Sequence, residues 1–389
     1  LRWGTDVTDK WKARAEVLAD KLTADGDLHT EEWRAAVRGV PRHELVPQYY
    51  EQQCTTYRLV IPDDDESRQA WLDLVYSDTT LITAVVADSS GRQVAVSSST
   101  KPDLMVRMLE ALDVRDGHSV LEVGTGTGYN AALLSHRLGA DRVFSIDLRR
   151  ELVDAARDRL AAIGYRPTLR AVDGSGGLAE HAPYDRIIAT CSVAAVPGEW
   201  IEQTAPGGLI LVDVEGQLSA GNLVLLRRGD DLVAEGKFLD WYGRFMALRH
   251  DVASVGPSWP TVDRSNGEER TTAVDPVELD GGFRFLAQFR LPPDTLHTLA
   301  VDDGTPTATC LTNSDGSWCS VDRNADESGR YRVRHVGPRD LWADVEHAHA
   351  EWATMGAPAW HRFGLTATPT TQRVWLDSPD SEHAWNLPT

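Results

Sequence analysis

Val120-Leu121-Glu122-Val123-Gly124-Thr125-Gly126-Thr127-Gly128-Tyr129 is the stretch that decides how this chain folds. An apolar strand enters a cluster of glycines, and a helix over Tyr129–Leu138 leaves it. Glycines allow tight backbone geometry and close approach of a ligand, while the helix N-terminus offers unpaired N–H groups. A dinucleotide pyrophosphate is one candidate ligand. The Gly-x-Gly-x-Gly spacing differs from the Gly-x-Gly-x-x-Gly fingerprint, however, and Glu122 sits awkwardly beside a pyrophosphate. A ligand with a cationic amino end suits Glu122 better.

Downstream, strands and helices alternate: Arg142–Ile146, a helix over Glu151–Ile163, then Thr168–Val172, Tyr184–Thr190, a helix over Trp200–Thr204, and Leu209–Val214. Short strands separated by helices imply parallel βαβ units, hence a doubly wound α/β domain. Two carboxylates fall at the ends of its strands. Asp147 lies 23 residues after Gly124, where it can accept both hydrogens of a ribose diol; Asp173-Gly174 follows the third strand, where a carboxylate can accept from an exocyclic adenine amine. Singly, each Asp is as well read as a helix cap. Together, at one sheet edge, they point to a nucleoside-bearing ligand.

Upstream, residues 1–60 read as a helical addition, with strands at Arg58–Ile61 and Leu81–Ala87 and no obvious sheet of their own. A helix opens at Pro102. The ligand-binding domain is placed at 61–245, and a second, α+β domain at 246–389 after a linker near Val252–Glu269. In that tail Phe283–Leu291, Tyr331–His335 and Arg373–Leu376 read as strands and Arg339–Met355 as a helix. Eight of the 13 tryptophans lie between Trp241 and Trp385, read as compact core before binding surface.

The formal charge of −20 argues against nucleic acid or an anionic membrane as partner. The absence of a long apolar run and the four cysteines lead us to expect a cytoplasmic protein without a disulfide scaffold. Cys310 and Cys319 are open to a hairpin disulfide, and no histidine spacing supports a metal. Cys191 reads as a pocket-lining thiol.

VLEVGTGTGYNAALL at 120–134, SIDL at 145–148, VDGSGG at 172–177, APYDRIIATCSVAAVP at 182–197 and IEQTAPGGLIL at 201–211 resemble, in this order, the protein-L-isoaspartate (D-aspartate) O-methyltransferase family. So do VPRHELVP at 40–47, VYSD at 75–78 and SSTKPDLMVRMLEAL at 98–112. The resemblance covers roughly residues 15–215. It implies a Rossmann-like class I methyltransferase sheet binding S-adenosylmethionine through Glu122, Gly124, Thr125, Gly126, Gly128, Asp147, Leu148, Asp173 and Gly174, with S-adenosylhomocysteine as product. On the acceptor side it implies Thr100 and Ser99 as catalytic positions and Ser98, Lys101, Tyr76 and Asp78 as substrate-binding ones. The family's Thr-Ile-Ser-Gln-Pro reads here Ser98-Ser99-Thr100-Lys101-Pro102, so Thr100 takes the serine position and Lys101 adds a charge that an acceptor carboxylate can meet. Arg42, Arg58 and Arg107 are further members of a possible basic rim.

Such an enzyme needs no general base, because an aspartyl-type carboxylate, with a pKa near 3.9, is already ionised at neutral pH. The altered loop and the long tail are similar to homologues of lanthipeptide and graspetide gene clusters. These features lead us to expect methylation of an aspartyl side chain in a ribosomally made, modified precursor peptide, the ester then closing to an aspartimide. The alternative is repair of isoaspartyl residues in proteins, and a third reading is an inactive peptide-binding protein that keeps the nucleoside pocket.

Overall fold

The computed structural model describes residues 5–54, 56–88, 90–252, 267–280, 283–292 and 294–387. The front of the chain contains the helices α1 (Thr5–Ala24), α2 (Glu31–Gly39), α3 (Arg42–Leu45), α4 (Asp65–Val75) and α5 (Pro102–Ala111). Interleaved with them are β1 (Tyr49–Gln53), β2 (Thr56–Val60), β3 (Leu81–Ala87) and β4 (Gln93–Ser99). These four strands form an antiparallel sheet of their own in the order β2-β1-β3-β4, which corrects the expectation of a helical addition without a sheet. The strands are half-buried and carry polar residues at many positions, so their apolar signal is weak.

The centre is built from β5 (Val120–Val123), α6 (Tyr129–Leu138), β6 (Val143–Asp147), α7 (Arg150–Ala162), β7 (Thr168–Ala171), β8 (Tyr184–Val193), α8 (Gly198–Gln203), β9 (Thr204–Glu215), β10 (Gly221–Arg228) and β11 (Ala234–Phe238). Strands β9, β8, β5, β6 and β7 are parallel neighbours in that order. All four residues of β5 are buried, as expected of a central parallel strand covered on both faces. Helix α7 presents Val153, Ala156 and Leu160 at helical spacing to the sheet. The chain runs from β5 outward through β6 to β7, then returns to the other side of β5 as β8, so the strand order reverses beside β5. Crevices at the carboxyl ends of strands open at such a point.

The tail adds β12 (Glu268–Thr272), α9 (Phe283–Ala287), β13 (Leu296–Asp302), β14 (Thr305–Thr312), β15 (Trp318–Asp322), β16 (Tyr331–Val336), α10 (Leu341–Thr354), β17 (Phe363–Ala367), β18 (Gln372–Leu376) and β19 (Ala384–Asn386). Strands β12 to β16 make a second antiparallel sheet, order β12-β16-β15-β14-β13. Asp340 caps α10 by accepting from Trp342 and Ala343 N–H. Strands β17 to β19 return to the central sheet, pairing antiparallel onto β11 and extending it to ten strands. The central sheet therefore runs across the expected boundary at 245/246. The linker read near Val252–Glu269 lies for the most part, at 253–266, outside the described residues.

One expected strand is a helix. Apolar residues recur at every second position from Phe283 to Leu291, yet Phe283–Ala287 forms a helical turn that buries Phe283, Phe285, Leu286 and Ala287 together. Cys310 lies opposite Ser320 and Cys319 opposite Leu311, so the two thiols point to opposite faces of their sheet, and both are free. Trp318, Trp342, Trp360 and Trp375 are buried, in keeping with a compact core.

Candidate active site

The glycine turn leaves β5 with Gly124, Gly126 and Gly128 all at positive φ. At Gly124 a Cβ would also come within 2.4 Å of Thr190 Oγ1, so no other residue fits that corner. Gly128 starts α6 and packs against Ala156 and Leu160 of α7, away from the cavity. The Gly126 N–H donates to Asp147 Oδ2 at 3.0 Å and the Arg149 N–H to Asp147 Oδ1 at 3.1 Å. Each carboxylate oxygen keeps a second lone pair for a ligand hydroxyl. Burial raises the Asp147 pKa, and these backbone donors pull it back.

Beside the turn opens a cavity of about 710 Å³, within the range of cofactor sites. The ends of β5 and β6, the front sheet's β4, and the segment 244–249 wall it. Ser98, Thr100, Gly124, Gly126, Asp147, Leu148 and Gly174 all line it, so residues from the acceptor loop and from the cofactor edge share one space. Cys191 lines it too, its thiol pushed up to about 12 by burial, which makes it a poor nucleophile.

A second cavity of about 30 Å³ continues beneath the turn, bordered by Ser99, Thr100, Glu122, Thr125 and Asn130. Glu122 is 1% exposed; it accepts from Asn130 Nδ2 at 2.8 Å and from Ser145 Oγ at 2.5 Å. Burial pushes its carboxyl up to about 7. Asn130 Oδ1 is buried without a hydrogen-bond partner in this same place. An orphaned acceptor next to a carboxyl destabilised as an anion matches the needs of an ammonium group. The residues present therefore fit the amino-acid end of S-adenosylmethionine at Glu122 and Asn130 and its ribose at Asp147. Asn130 and Ser145 escaped the sequence reading; the signal for Asn130 was a polar residue in the first turn of α6, followed by four apolar ones, and for Ser145 a polar residue inside the strand β6.

Several expected residues do not line the large cavity. Tyr76 is buried among Trp11 and His43, its hydroxyl 2.8 Å from His43 Nδ1. Asp78 accepts the Asp103 N–H at 2.9 Å, capping α5, and pairs with Lys101 at 3.0 Å. Lys101 is held by Asp78 and Asp103, so it is not available to an incoming carboxylate. Asp173 accepts the N–H and hydroxyl of Ser175, each at 2.9 Å, and its other oxygen lies 2.9 Å from His250 Nδ1; it caps a turn, and only its neighbour Gly174 faces the main cavity. Arg58 pairs with Glu51 at 2.5 Å, and Arg107 with Asp27 at 3.3 Å.

Arg42 is no rim residue either. It is fully buried and donates to Val75 O, Ser77 O, Thr79 O, Ser99 Oγ and Thr100 O, between 2.7 and 3.4 Å. It thereby fixes the segment 75–79 against the loop that carries Thr100. Among the described residues no group of three or more His, Cys, Asp or Glu could hold a metal ion, and no helix is long and apolar enough to cross a membrane.

Comparison with known proteins bears on this geometry. Residues 13–239 match the family model of protein-L-isoaspartate (D-aspartate) O-methyltransferase. The chain is 33% identical over 227 residues to the protein-L-isoaspartate O-methyltransferase of Methanopyrus kandleri, covering 57% of this chain and 86% of that one. It is 33% identical over 200 residues to the enzyme of that name from Ignicoccus hospitalis, covering 51% and 80%. A solved protein-L-isoaspartate O-methyltransferase shares the fold with a TM-score of 0.53 at 21% identity, aligned over 94% of this chain and all of its own. That alignment runs past residue 239 into the tail, so the likeness of fold is not confined to the family match. The names of the two relatives are those of the enzyme that the sequence offered as the alternative reading. With more than half its length in the family match, this chain belongs to the protein-L-isoaspartate (D-aspartate) O-methyltransferase family of S-adenosylmethionine-dependent carboxyl methyltransferases.

Proposed function

We propose that the protein transfers a methyl group from S-adenosylmethionine to the free carboxylate of an isoaspartyl residue in a protein or peptide. The observation that carries this is the single cavity in which Thr100 and Ser98 meet Gly124, Gly126, Asp147 and Leu148. When bound, S-adenosylmethionine supplies an electrophilic methyl on a sulfonium, whose sulfur keeps the electron pair as the methyl leaves. The chain's own task is to orient and dry the attacking oxygen. Thr100, with its carbonyl held by Arg42, presents its hydroxyl to the carboxylate; Ser99, 2% exposed and bonded to Arg42, supports the loop. Apolar walls from Val123, Ile146, Phe245, Met246 and Leu248 exclude water. No proton moves, which suits a cavity without a free histidine. A cytoplasmic setting fits four cysteines that form no disulfide.

A second reading keeps the modified precursor peptide as acceptor, with an aspartimide as end product. It rests on the segment 244–249, which walls the cavity yet lies outside the family match at 13–239. Incubation with S-adenosylmethionine and three synthetic peptides, one isoaspartyl and one aspartyl at the same position and one a cyclised aspartyl precursor, followed by mass measurement, tests both. Gain of one methylene unit on the isoaspartyl peptide alone supports repair. Gain only on a cyclised aspartyl precursor, with later loss of methanol, supports the second reading, and no gain on any peptide removes both.

A further inference from the structure

The segment 244–249 acts as a strap over the carboxyl ends of β8 and β9. Ser192 N–H donates to Met246 O at 3.0 Å, Leu248 N–H to Ser192 O at 2.7 Å, and Phe245 N–H to Asp213 Oδ2 at 3.2 Å. Arg249 then reaches across to the front sheet, donating to Val96 O at 2.9 Å. The strap is thus fixed at both ends and forms one wall of the large cavity.

A chain with a formal charge of −20 repels acidic acceptors at a distance, so recognising one requires a local cation inside the site. Three arginines line the cavity: Arg92, Arg244 and Arg249. Arg92 is tied to Asp88 at 3.2 Å within its own hairpin, and Arg249 is tied to Val96. Arg244 is exposed and makes no hydrogen bond or ion pair among the described residues; Asp213 and Glu215 are near enough to feel its field only. It is the cavity cation whose donors are unspent. It enters from the strap, whereas Thr100 comes from the end of β4. A full ion pair on the reacting carboxylate would draw charge from the attacking oxygen, so the guanidinium suits an anion beside the reacting residue better than the reacting group itself.

We propose that Arg244 is a specificity-determining residue that pairs with an acidic side chain adjacent to the methylated residue, selecting acidic acceptor segments. This rests on the methyltransferase reading above, so its test separates binding from turnover. Fluorescent isoaspartyl peptides carrying Glu or Gln at each neighbouring position are titrated into the protein saturated with S-adenosylhomocysteine, and kcat and KM are measured on the same peptides. The wild type is expected to bind the Glu peptides about tenfold more tightly, with the ratio shrinking as salt rises. Arg244→Gln erases the ratio while leaving the Gln peptides and the cofactor bound as before, and Arg244→Lys restores part of it. The effect falls on KM and not on kcat. A wild type indifferent to the neighbouring charge overturns the proposal, as does a ratio that survives in Arg244→Gln or vanishes in Arg92→Gln instead. If the acidic preference appears but no peptide is methylated, Arg244 keeps its assignment and the proposed function falls.

Discussion

Arg42→Met is the substitution whose outcome depends most on the geometry described. Methionine matches much of the volume but donates nothing, leaving five acceptors around an apolar side chain. The bonds to Val75 O at 2.7 Å and to Ser99 Oγ and Thr100 O at 3.2 Å are sound; those at 3.3 and 3.4 Å to Ser77 O and Thr79 O count for less. Bonds from a charged donor contribute about 1.5–3 kcal/mol each, and loss of the three sound ones is the main cost. Removing a buried cation with no carboxylate partner gives several kcal/mol back in solvation. The net expected loss is about 2–4 kcal/mol, read as a lower urea midpoint at unchanged m-value. Because two of the acceptors belong to Ser99 and Thr100, kcat should fall while the affinity for S-adenosylhomocysteine, held at the Asp147 side, stays within about twofold. A variant within about 0.5 kcal/mol of wild type and with unchanged kcat would show that Arg42 does not organise the acceptor loop.

Three further outcomes follow from the same residues. Thr100→Ala should lower kcat by roughly 10–100-fold with little change in cofactor affinity, and Thr100→Ser should recover most of it; equal loss in both measures would mark Thr100 as structural. Glu122, pushed up to about 7, is protonated in the free protein below that pH, and a bound ammonium favours its anion. Cofactor affinity should therefore weaken by up to about tenfold per unit as pH falls below about 7, with proton release visible by calorimetry in two buffers, and Glu122→Gln should flatten the profile. Asp213 is 1% exposed with Oδ1 unpartnered, and burial pushes it up to about 8. Its raised folded value means that the unfolded chain ionises first, so stability declines as pH rises from about 4 to about 8. Asp213→Asn should remove much of that decline, and an unchanged slope in urea titrations across that range would contradict it.

The parallel half of the sheet was legible because β5 and the latter half of β9 are buried and read as apolar runs ending in glycine or a carboxylate. The front sheet was not: β1, β2 and β4 carry Glu51, Gln52, Arg58 and Ser97–Ser99 on half-buried surfaces, so neither alternation nor a continuous apolar run stands out. The return of β17 to β19 to the central sheet depends on pairing with β11 across more than 120 residues, which no local pattern records. On the cofactor side, the convergence of strand ends in this topology brought Gly124, Gly126, Asp147 and Gly174 to the cavity, and the family resemblance added Leu148. On the acceptor side it overvalued exposed-looking charge. Lys101 and Asp78 satisfy each other and Arg42 is internal, facts set by partners distant in sequence. Asp173 has a second duty that its place before Gly-Ser also signals, since it caps a turn by accepting from Ser175.

A crystal structure with S-adenosylhomocysteine bound tests the account at its centre. The amino-acid end is expected against Glu122 and Asn130, the ribose on Asp147, and the sulfur facing the Thr100 hydroxyl across the large cavity. Density at another edge of the sheet, or a sulfur turned away from Thr100, would contradict it and leave only the fold and the family.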